Sequence, residues 1–404
     1  MTSSVTRRLA IQVANAETAA DDIQFIHLDA NANASPSAEV KAAILHSLEK
    51  GANPSSAHAA GDVARSMLTA ARDAVASLCD GLFPEDVIFT SGCTEANNVI
   101  VASARAAGAT LITSAVEHPS ILRPAEAYEA DGGSVIVVPV ERTGLLDLAQ
   151  LEAALQSTKG PIFLSVQSAN SETGVLQPVE KIAAMASQRA DVLFHTDAAQ
   201  VFGKTALQIG GRHGPDAVSV SAHKLHGPMG AGALLLREGE ARVRPLMLGG
   251  DQERGLRAGT QPLPLIVGFG AACTGRKRNL IDDITRMRSL RDRLETGICA
   301  ALPTVLVNGT TVTRLPNTSN LQFPGVDAIA LIALLDAYGV LASQGSACHS
   351  RRPEPSHVLI AMGLQEEQAF ASVRFSVSPL NTEAEIDEAI SLIIAASRKL
   401  GVRG

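Results

Sequence analysis

Polar residues follow several short apolar runs of this sequence, where parallel strands of an open sheet would end and where such sheets bind ligands. Residues 91–94 (Ser-Gly-Cys-Thr) are the first of these positions. A glycine turn that opens a helix presents free backbone N–H groups to an anion, and a phosphate would fit there. The same residues also make an ordinary strand-to-helix turn with a capping residue, so the turn alone does not identify a phosphate site.

Asp197 and Lys224 follow two further apolar runs. A carboxylate after a buried strand needs a cation or hydrogen bonds, which a protonated pyridine nitrogen would supply, although such an Asp often caps a helix instead. A buried lysine amine has a lowered pKa and can form a Schiff base, whereas most lysines are solvated. Together these three features match what pyridoxal 5'-phosphate (PLP) requires of a protein. The turn would bind its phosphate, the carboxylate would pair with its ring nitrogen, and the amine would form an imine with it.

Cys348 lies in a segment of small and polar residues, 343–350 (Ser-Gln-Gly-Ser-Ala-Cys-His-Ser), which predicts an exposed loop. Most free cysteines are buried and inert. A thiol on such a loop instead suits a nucleophile that reaches a cofactor and then withdraws.

The elements that must position these residues can be inferred from hydrophobic periodicity. Apolar and β-branched runs predict strands, and apolar residues spaced by three or four predict helices between them. Predicted strands are residues 87–90, 111–113, 135–138, 162–166, 192–195 and 217–220, and predicted helices are residues 37–50, 62–79, 147–156 and 178–189. Strands that alternate with helices imply right-handed crossovers, so the sequence predicts an α/β fold with a mostly parallel central sheet.

The pattern changes at about residue 275 and predicts a smaller α+β domain. Its predicted elements are a charged helix at 276–301, short strands near 305–307 and 319–323, and helices at 326–338 and 382–400. We therefore expect an N-terminal extension (1–25), a large PLP-binding α/β domain (26–274) and a small α+β domain (275–404) that carries the cysteine loop.

Composition favours a globular protein that acts on a small molecule. The 404-residue chain is 46% hydrophobic and 19% charged, and its net charge of −7 argues against binding to nucleic acid or anionic membranes. Five widely spaced cysteines without a C-x-x-C pair predict neither a disulfide framework nor a metal site. With no apolar run of about eighteen residues to span a bilayer, we expect a cytoplasmic location.

Several ordered motifs match one enzyme family. They are Asn53-Pro-Ser-Ser-x-His58, Thr90-Ser-Gly-x-Thr94-Glu95, Glu117-His118, Asn170-x-Glu172-x-Gly174, His195-x-Asp197-Ala-x-Gln200, Ser221-x-His223-Lys224-x-x-Gly227-Pro228, Glu253-Arg254-Gly-x-Arg257-x-Gly259-Thr260, Gly345-Ser346-Ala347-Cys348 and Arg374-Phe-Ser376. With these motifs the sequence resembles the cysteine desulfurases and selenocysteine lyases, from about residue 26 to residue 400. These enzymes belong to the class V aminotransferase group, and the resemblance implies the fold type I PLP-dependent transferase fold.

The resemblance also implies the roles of individual residues. Lys224 would bind PLP covalently, and Cys348 would take sulfur or selenium from a cysteine-like amino acid, leaving alanine. Other cofactor contacts would come from His118 stacked on the ring, Asp197 at the ring nitrogen, Gln200 at the ring hydroxyl, Thr94, Ser221 and His223 at the phosphate, Asn170, and Thr260 from the second subunit of a homodimer. Arg374 would grip the substrate carboxylate as a bidentate fork, with Asn53 and Asn170 nearby.

Three departures from the family pattern bear on the substrate. Residues 28–34 read Leu-Asp-Ala-Asn-Ala-Asn-Ala where the family has Leu-Asp-x-x-Ala-Thr-Thr, and the usual Gly-Gly-Gly-x-Glu becomes Gly-Gly-Asp-Gln-Glu at 249–253. Ser171 also replaces the second Asn of the usual Asn-Asn-Glu. Loss of two hydroxyls beside the expected substrate entrance puts substrate identity in question, but not the PLP framework.

Three functions fit the sequence. The first is a cysteine desulfurase that passes a Cys348 persulfide to an acceptor protein, and the second is a selenocysteine lyase or a related lyase on another cysteine-like amino acid. The third is a PLP-fold protein that serves only for docking or regulation. The third function is disfavoured by four intact residues, Lys224, Asp197, Cys348 and Arg374. A site without catalytic activity would not require a buried amine facing a buried carboxylate.

Overall fold

The structure is a computed structural model that describes residues 25–237, 239–345 and 354–402. Cys348 and the predicted N-terminal extension as far as residue 24 lie outside the described residues. No helix in these three ranges is both long and apolar enough to cross a membrane.

A seven-stranded sheet with flanking helices makes up the first part of the chain. Its elements are α1 (Ala38–Lys50), α2 (Ala59–Ala76), β2 (Val87–Thr90), α3 (Cys93–Ala106), β3 (Thr110–Ser114), α4 (Pro119–Ala130), β4 (Val135–Val138), α5 (Leu148–Ser157), β5 (Ile162–Ser165), α6 (Val179–Ala186), β6 (Val192–Asp197), β7 (Ala217–Ser221) and β8 (Gly232–Leu236), preceded by β1 (Ile26–His27). The predicted strands all form, within a residue or two of their predicted bounds.

The strand order in the sheet is β2-β8-β7-β6-β5-β3-β4. Neighbours from β7 to β4 are parallel, and β8 runs antiparallel to both β2 and β7. The predicted α/β fold with a mostly parallel sheet is confirmed. The sequence pattern misses β8, because Gly230 and Gly232 interrupt its apolar run.

Both faces of the sheet are covered, which is why its strands read as continuous apolar runs. Successive side chains of β2 point to opposite faces, so that Phe89 packs in the core with α2 while Ile88 packs in the core with α3. Phe269 contacts Phe89 and Phe202 edge to face and joins a long helix to the first of these cores.

That long helix connects the sheet to the second part of the chain. Later elements are α7 (Leu263–Ala301), β9 (Leu306–Val307), β10 (Thr318–Gln322), α8 (Ala328–Ala337), β11 (Val340–Leu341), α9 (His357–Ala361), α10 (Glu366–Phe370), β12 (Ser372–Ser376) and α11 (Glu383–Lys399). Helix α7 begins at Leu263 rather than at residue 276, because its apolar first part packs against α1 and α2 while only its later part is charged.

The second core contains a three-stranded antiparallel sheet, in the order β12-β10-β9, and the parallel pair β1-β11. Ile26 and Leu28, which the sequence prediction assigns to the large domain, pack in this core. The predicted division at residue 274 lies within α7, so the domain bounds stay a prediction. What matters for the site is that residues 29–34 pass from this core to the carboxyl ends of the parallel strands.

Candidate active site

The turn at the start of α3 lies beside Ser221 because β8 pairs with strands on both sides. Gly232 is the register partner of Thr90 on β2 and of Ser221 on β7. A side chain at Gly232 would place its Cβ 2.6 Å from Cα of Gly92, so only glycine allows this approach. The backbone N–H of Cys93 donates to Ser221 Oγ at 2.8 Å. The predicted phosphate turn and Ser221 therefore share one edge of the sheet, with a helix N-terminus facing outward.

Lys224 ends a short 3₁₀ turn, Ala222–Lys224, directly after β7. Its Nζ donates to the backbone carbonyls of Asn31 at 2.6 Å and Ala32 at 2.8 Å. Burial, and next the positive charge of Arg374, lower the pKa of Lys224 to about 8. Burial also lowers the pKa of His223 to about 4. The amine is thus held in place with a pKa at which a substantial fraction is unprotonated and nucleophilic near neutral pH.

Asp197, the last residue of β6, is connected to His118 through two polar side chains. Asp197 Oδ2 accepts from Asn97 Nδ2 at 2.7 Å, and the same Nδ2 donates to Ser120 Oγ at 2.8 Å. The Ser120 hydroxyl lies 2.8 Å from His118 Nδ1, which also accepts the Ser120 backbone N–H. Burial lowers the pKa of His118. This geometry favours a neutral His118 ring with its proton on Nε2.

The second carboxylate oxygen of Asp197 has its own donors. Its Oδ1 accepts the backbone N–H of Ala199 at 2.9 Å and lies 3.2 Å from the Cys93 thiol. Burial, followed by the charge of Asp197, raises the pKa of Cys93 well above its ordinary value, so the thiol is a donor and not a thiolate. Three donors, the Asn97 amide, the Ala199 N–H and the Cys93 thiol, therefore keep this buried carboxylate in one orientation.

Gln200 lies near the same carbonyl that contacts Lys224. Its Nε2 donates to the Asn31 carbonyl at 3.1 Å, and its Oε1 accepts from Lys204 Nζ at 3.0 Å. The Asn31 backbone carbonyl thus joins the side chains of Lys224 and Gln200, both of which the sequence assigns to one cofactor.

Arg374, on β12, reaches the site from the second core and is almost fully buried. Its Nη2 forms an ion pair with Asp29 Oδ1 at 2.6 Å, and its Nη1 donates to the Ser171 carbonyl at 3.2 Å. Its buried Nε has no hydrogen-bond partner among the described residues. An unpartnered guanidinium nitrogen next to the Lys224 charge gives a carboxylate ligand a donor that the protein itself does not use.

The other predicted site residues are placed less directly. Asn53 is exposed, and its Oδ1 accepts the backbone N–H of Ser55. Asn170 is buried with its Oδ1 on the N–H groups of residues 172 and 173 and its Nδ2 on the Val116 carbonyl. Thr94 and Thr260 are exposed, and no contact between them and Lys224 or Asp197 occurs among the described residues.

The segment that carries Cys348 is flanked by residues that meet at Glu172. A side chain at Gly345 would place its Cβ 2.8 Å from the carboxyl carbon of Glu172. On the other side of residues 346–353, the Ser356 hydroxyl donates to Glu172 Oε2. The negative charge of Glu172 acts to raise the pKa of His118, so Glu172 lies near the site. The residues on both sides of the Cys348 segment therefore also begin near the site.

Several site residues carry contacts that the sequence analysis does not assign. Asp29 pairs with Arg374, Asn97 and Ser120 support Asp197 and His118, and Lys204 contacts Gln200. Lys204 had one detectable signal, a lone lysine within an apolar stretch at residues 201–207 (Val-Phe-Gly-Lys-Thr-Ala-Leu). The partners of Asp29 and Asn97 are distant in sequence, so local patterns do not indicate them, whereas Ser120 lies two residues after His118.

The assembled groups fit PLP. Among the described residues no cluster of three His, Cys, Asp or Glu side chains could hold a metal ion. A buried amine, a buried carboxylate already supplied with donors, and a helix N-terminus with a serine hydroxyl match the imine, ring nitrogen and phosphate of PLP. The unpartnered Nε of Arg374 matches the carboxylate of an amino-acid substrate.

The chain is similar to known proteins over most of its length. The family model for aminotransferase class-V, a family of PLP-dependent enzymes, matches residues 26–389. "Cysteine desulfurase 2" of Trichormus variabilis is 42% identical over 375 residues, which cover 92% of this chain and 92% of that protein.

Solved structures give the same family. The NifS-like protein of Rickettsia africae superposes with a TM-score of 0.83 at 31% identity, covering 93% of this chain and 99% of that one. A structure of SspA in complex with cysteine superposes with a TM-score of 0.73 at 29% identity, covering 88% of this chain and 99% of that one. The chain therefore belongs to the aminotransferase class-V family and, within it, to the cysteine desulfurases.

Proposed function

We propose that this protein removes the sulfur atom of L-cysteine, releases L-alanine and carries the sulfur as a persulfide on Cys348. The observation that carries the proposal is the buried amine of Lys224, held on two backbone carbonyls with a pKa of about 8 beside Arg374. An amine so placed is suited to bind PLP covalently and to be displaced from it by the amino group of a substrate. The chemistry balances, because the Cys348 thiol and L-cysteine contain the atoms of the persulfide and L-alanine.

PLP would be held by groups that the fold brings to one edge of the sheet. The N-terminus of α3 with Thr94, Ser221 and His223 would bind its phosphate, and Lys224 would bind it covalently. Asp197 would accept the ring N–H, since its carboxylate is oriented by Asn97 and Ala199. When bound, PLP would supply an electron-withdrawing ring that stabilises negative charge at the substrate α-carbon.

Two residues would complete the contacts to PLP around its ring. His118 would stack on the ring face with a neutral imidazole, because burial lowers its pKa. Gln200 would donate to the ring hydroxyl through Nε2. Its Oε1 already accepts from Lys204, and its Nε2 faces the Asn31 carbonyl, which also contacts Lys224. Asn170 would line the same space from the turn after β5.

The substrate carboxylate would bind Arg374. Its Nη2 is paired with Asp29, which fixes the guanidinium, and its Nε lacks a protein partner among the described residues. Asn53, on the exposed loop after α1, would approach the substrate from the entrance side. Bidentate recognition by a planar guanidinium would select α-amino acids over amines.

We propose that a homodimer completes the site, with Thr260 of the partner subunit reaching the phosphate. Thr260 is exposed, and nearby Arg257 is anchored to Glu95 at 3.1 Å, one residue after Thr94 in α3. The ion pair of Arg257 thus holds the segment around residue 257 against α3, and the exposed Thr260 can face a second chain. An acceptor protein for the persulfide and the expected cytoplasmic location are further parts of the proposal.

The test compares alanine release from L-cysteine and L-selenocysteine by the PLP-loaded protein. We expect turnover of L-cysteine, and a preference for selenocysteine of more than about tenfold in kcat/KM would instead support the lyase alternative. Cys348→Ala should lower alanine release from L-cysteine by at least roughly 100-fold while the PLP absorption stays unchanged. Cys299→Ala, which alters a partly buried cysteine far from the site motifs, is the matched control. Full activity in Cys348→Ala would overturn the role of the thiol.

A further inference from the structure

Lys204 is a second buried lysine near the site, and the proposed function gives it no role. It follows β6 and is only 2% exposed. No carboxylate lies within ion-pair distance of its Nζ among the described residues. A buried lysine without a counter-charge is costly unless its hydrogen bonds are satisfied, so its contacts must account for its presence.

Two side-chain oxygens satisfy Lys204. Its Nζ donates to Asn31 Oδ1 at 3.1 Å and to Gln200 Oε1 at 3.0 Å. A neutral amine has two N–H groups and an ammonium has three, so two acceptors match the neutral form. Burial, and then the charges of Lys224, Arg276 and Arg374, lower the pKa of Lys204 well below its ordinary value, which agrees with a neutral amine.

Other titratable groups also surround this amine. His223 and His226 are both influenced by the charge of Lys204, and burial lowers the pKa of each to about 4. Arg374 and Arg276, whose charges act on Lys204, have carboxylate partners of their own, Asp29 and Asp283. Lys204 thus acts as a hydrogen-bond donor and not as a member of an ion pair.

Lys204 and the Asn31 carbonyl together determine which way the Gln200 amide faces. An amide oxygen and nitrogen can exchange places unless their partners distinguish them. Oε1 of Gln200 faces Lys204 and accepts one of its N–H groups, and Nε2 faces the opposite side, where a backbone carbonyl can only accept. There Nε2 donates to the Asn31 carbonyl, which also receives the Lys224 amine.

The bond to Asn31 fixes the other side of the same network. Asn31 Oδ1 accepts from Lys204 and from Asn317 Nδ2, and Asn31 Nδ2 donates to Thr318 Oγ1 and the Ser171 carbonyl. Every side-chain hydrogen-bonding group of Asn31 therefore has a partner. Lys204 holds in place both the residue whose carbonyl contacts Lys224 and the amide next to it.

We propose that Lys204 is a positioning residue that orients the Gln200 amide so that its N–H faces the ring hydroxyl of PLP. This inference rests on the proposed function, because Gln200 acts on PLP. An N–H donor to the ring oxygen withdraws negative charge from it, so the adjacent linkage between PLP and Lys224 holds its proton less tightly. Without Lys204 the amide can turn its oxygen toward the ring, and that proton is held more tightly.

The experiment titrates the visible absorption of the PLP-loaded protein against pH in Lys204→Met, Gln200→Ala and the double variant. In each single variant we expect the midpoint of the colour change to move upward by roughly half to one pH unit, equivalent to one hydrogen bond. If Lys204 acts through Gln200, the double variant moves no further than the larger single shift. An unchanged midpoint in Lys204→Met, or additive shifts in the double variant, would overturn the inference.

Controls separate this inference from folding and from the proposed function. Lys181→Met removes an exposed lysine and should leave the midpoint unchanged. If Lys204→Met does not fold, Lys204→Gln replaces it and should give a smaller upward shift, and no shift would again overturn the inference. A wild-type protein that binds no PLP would refute the proposed function, whereas PLP binding with an unshifted Lys204 variant refutes only the positioning role.

Discussion

The Lys224 amine is buried between two carbonyls, and its lowered pKa of about 8 has a direct consequence for loading. Only an unprotonated amine attacks an aldehyde, so we expect the rate at which PLP-free protein binds PLP to rise with pH, with a midpoint near the Lys224 pKa. Rapid mixing followed by absorbance measures this rate. A rate that rises only near the ordinary lysine pKa of about 10.4 would contradict the burial argument.

The lowered pKa of Lys224 also makes the stability of the folded protein depend on pH. Between about pH 8 and the ordinary lysine pKa of 10.5, the unfolded chain keeps a proton that the folded chain has released. The free energy of unfolding of the PLP-free protein therefore gains a contribution from Lys224 as pH rises through this window. Lys224→Met, compared with the wild type in denaturant titrations, should flatten that part of the pH dependence.

Single residues were predictable from sequence where chemistry follows an apolar run. Lys224, Asp197 and Ser221 each come directly at or after a strand end, and parallel strands bring such ends together. The Arg374–Asp29 pair was not predictable in this way, because 345 positions separate its members. The apolar stretch around Lys204 indicates that this lysine is unusual, but not its role, which depends on the amide oxygens that accept its N–H groups.

At the scale of elements, α7 is held against α1 and α2 by glycines on its inner face. A Cβ at Gly270 would lie 2.6 Å from Cα of Ala71 in α2, and a Cβ at Gly268 would lie 2.7 Å from the Ile44 side chain in α1. Gly275, farther along the same helix, has only the Glu39 carboxylate at 3.8 Å. Close packing of α7 therefore requires glycine at 268 and 270, whereas the glycine at 275, within two turns of them, can be replaced.

This difference gives a matched pair of variants. Gly275→Ala should raise the free energy of unfolding by about 0.5–1 kcal/mol, because alanine costs less backbone entropy in a helix. Gly270→Ala should lower it by about 1–3 kcal/mol, because its methyl group overpacks the contact with α2. Denaturant titration of both variants measures the difference, and equal stabilities would show that the close approach of α7 and α2 is wrong.

Elements were predicted best where periodicity was strong and glycine was absent. Strands β2 to β7 and helix α1 form almost at their predicted bounds. Strand β8 and the start of α7 were missed because glycines or a proline interrupt their apolar residues. Yet β8 brings the phosphate turn to Ser221, so the missed strand is the one that assembles half of the site.

For the whole molecule, residues 29–34 connect the two cores to one site. Asp29 and Asn31 join Arg374, Thr318 and Asn317 of the second core to Lys204 and the Lys224 amine of the first. This is the segment in which the sequence departs from the family pattern. Its side-chain contacts come from Asp29 and Asn31, whereas at the two positions where hydroxyls are replaced, Asn33 and Ala34 donate through their backbone N–H groups, that of Ala34 to the His223 carbonyl at 2.9 Å.

The most direct test of the account follows the sulfur atom. PLP-loaded protein is mixed with one equivalent of L-cysteine without reductant, and the alanine formed is quantified. The masses of the cysteine-containing peptides are then measured by mass spectrometry. We predict that alanine forms and that the peptide containing Cys348 gains the mass of one sulfur atom, while peptides with Cys79, Cys93, Cys273 and Cys299 do not. Alanine formation with the added sulfur on another cysteine, or on none, would contradict the central claim.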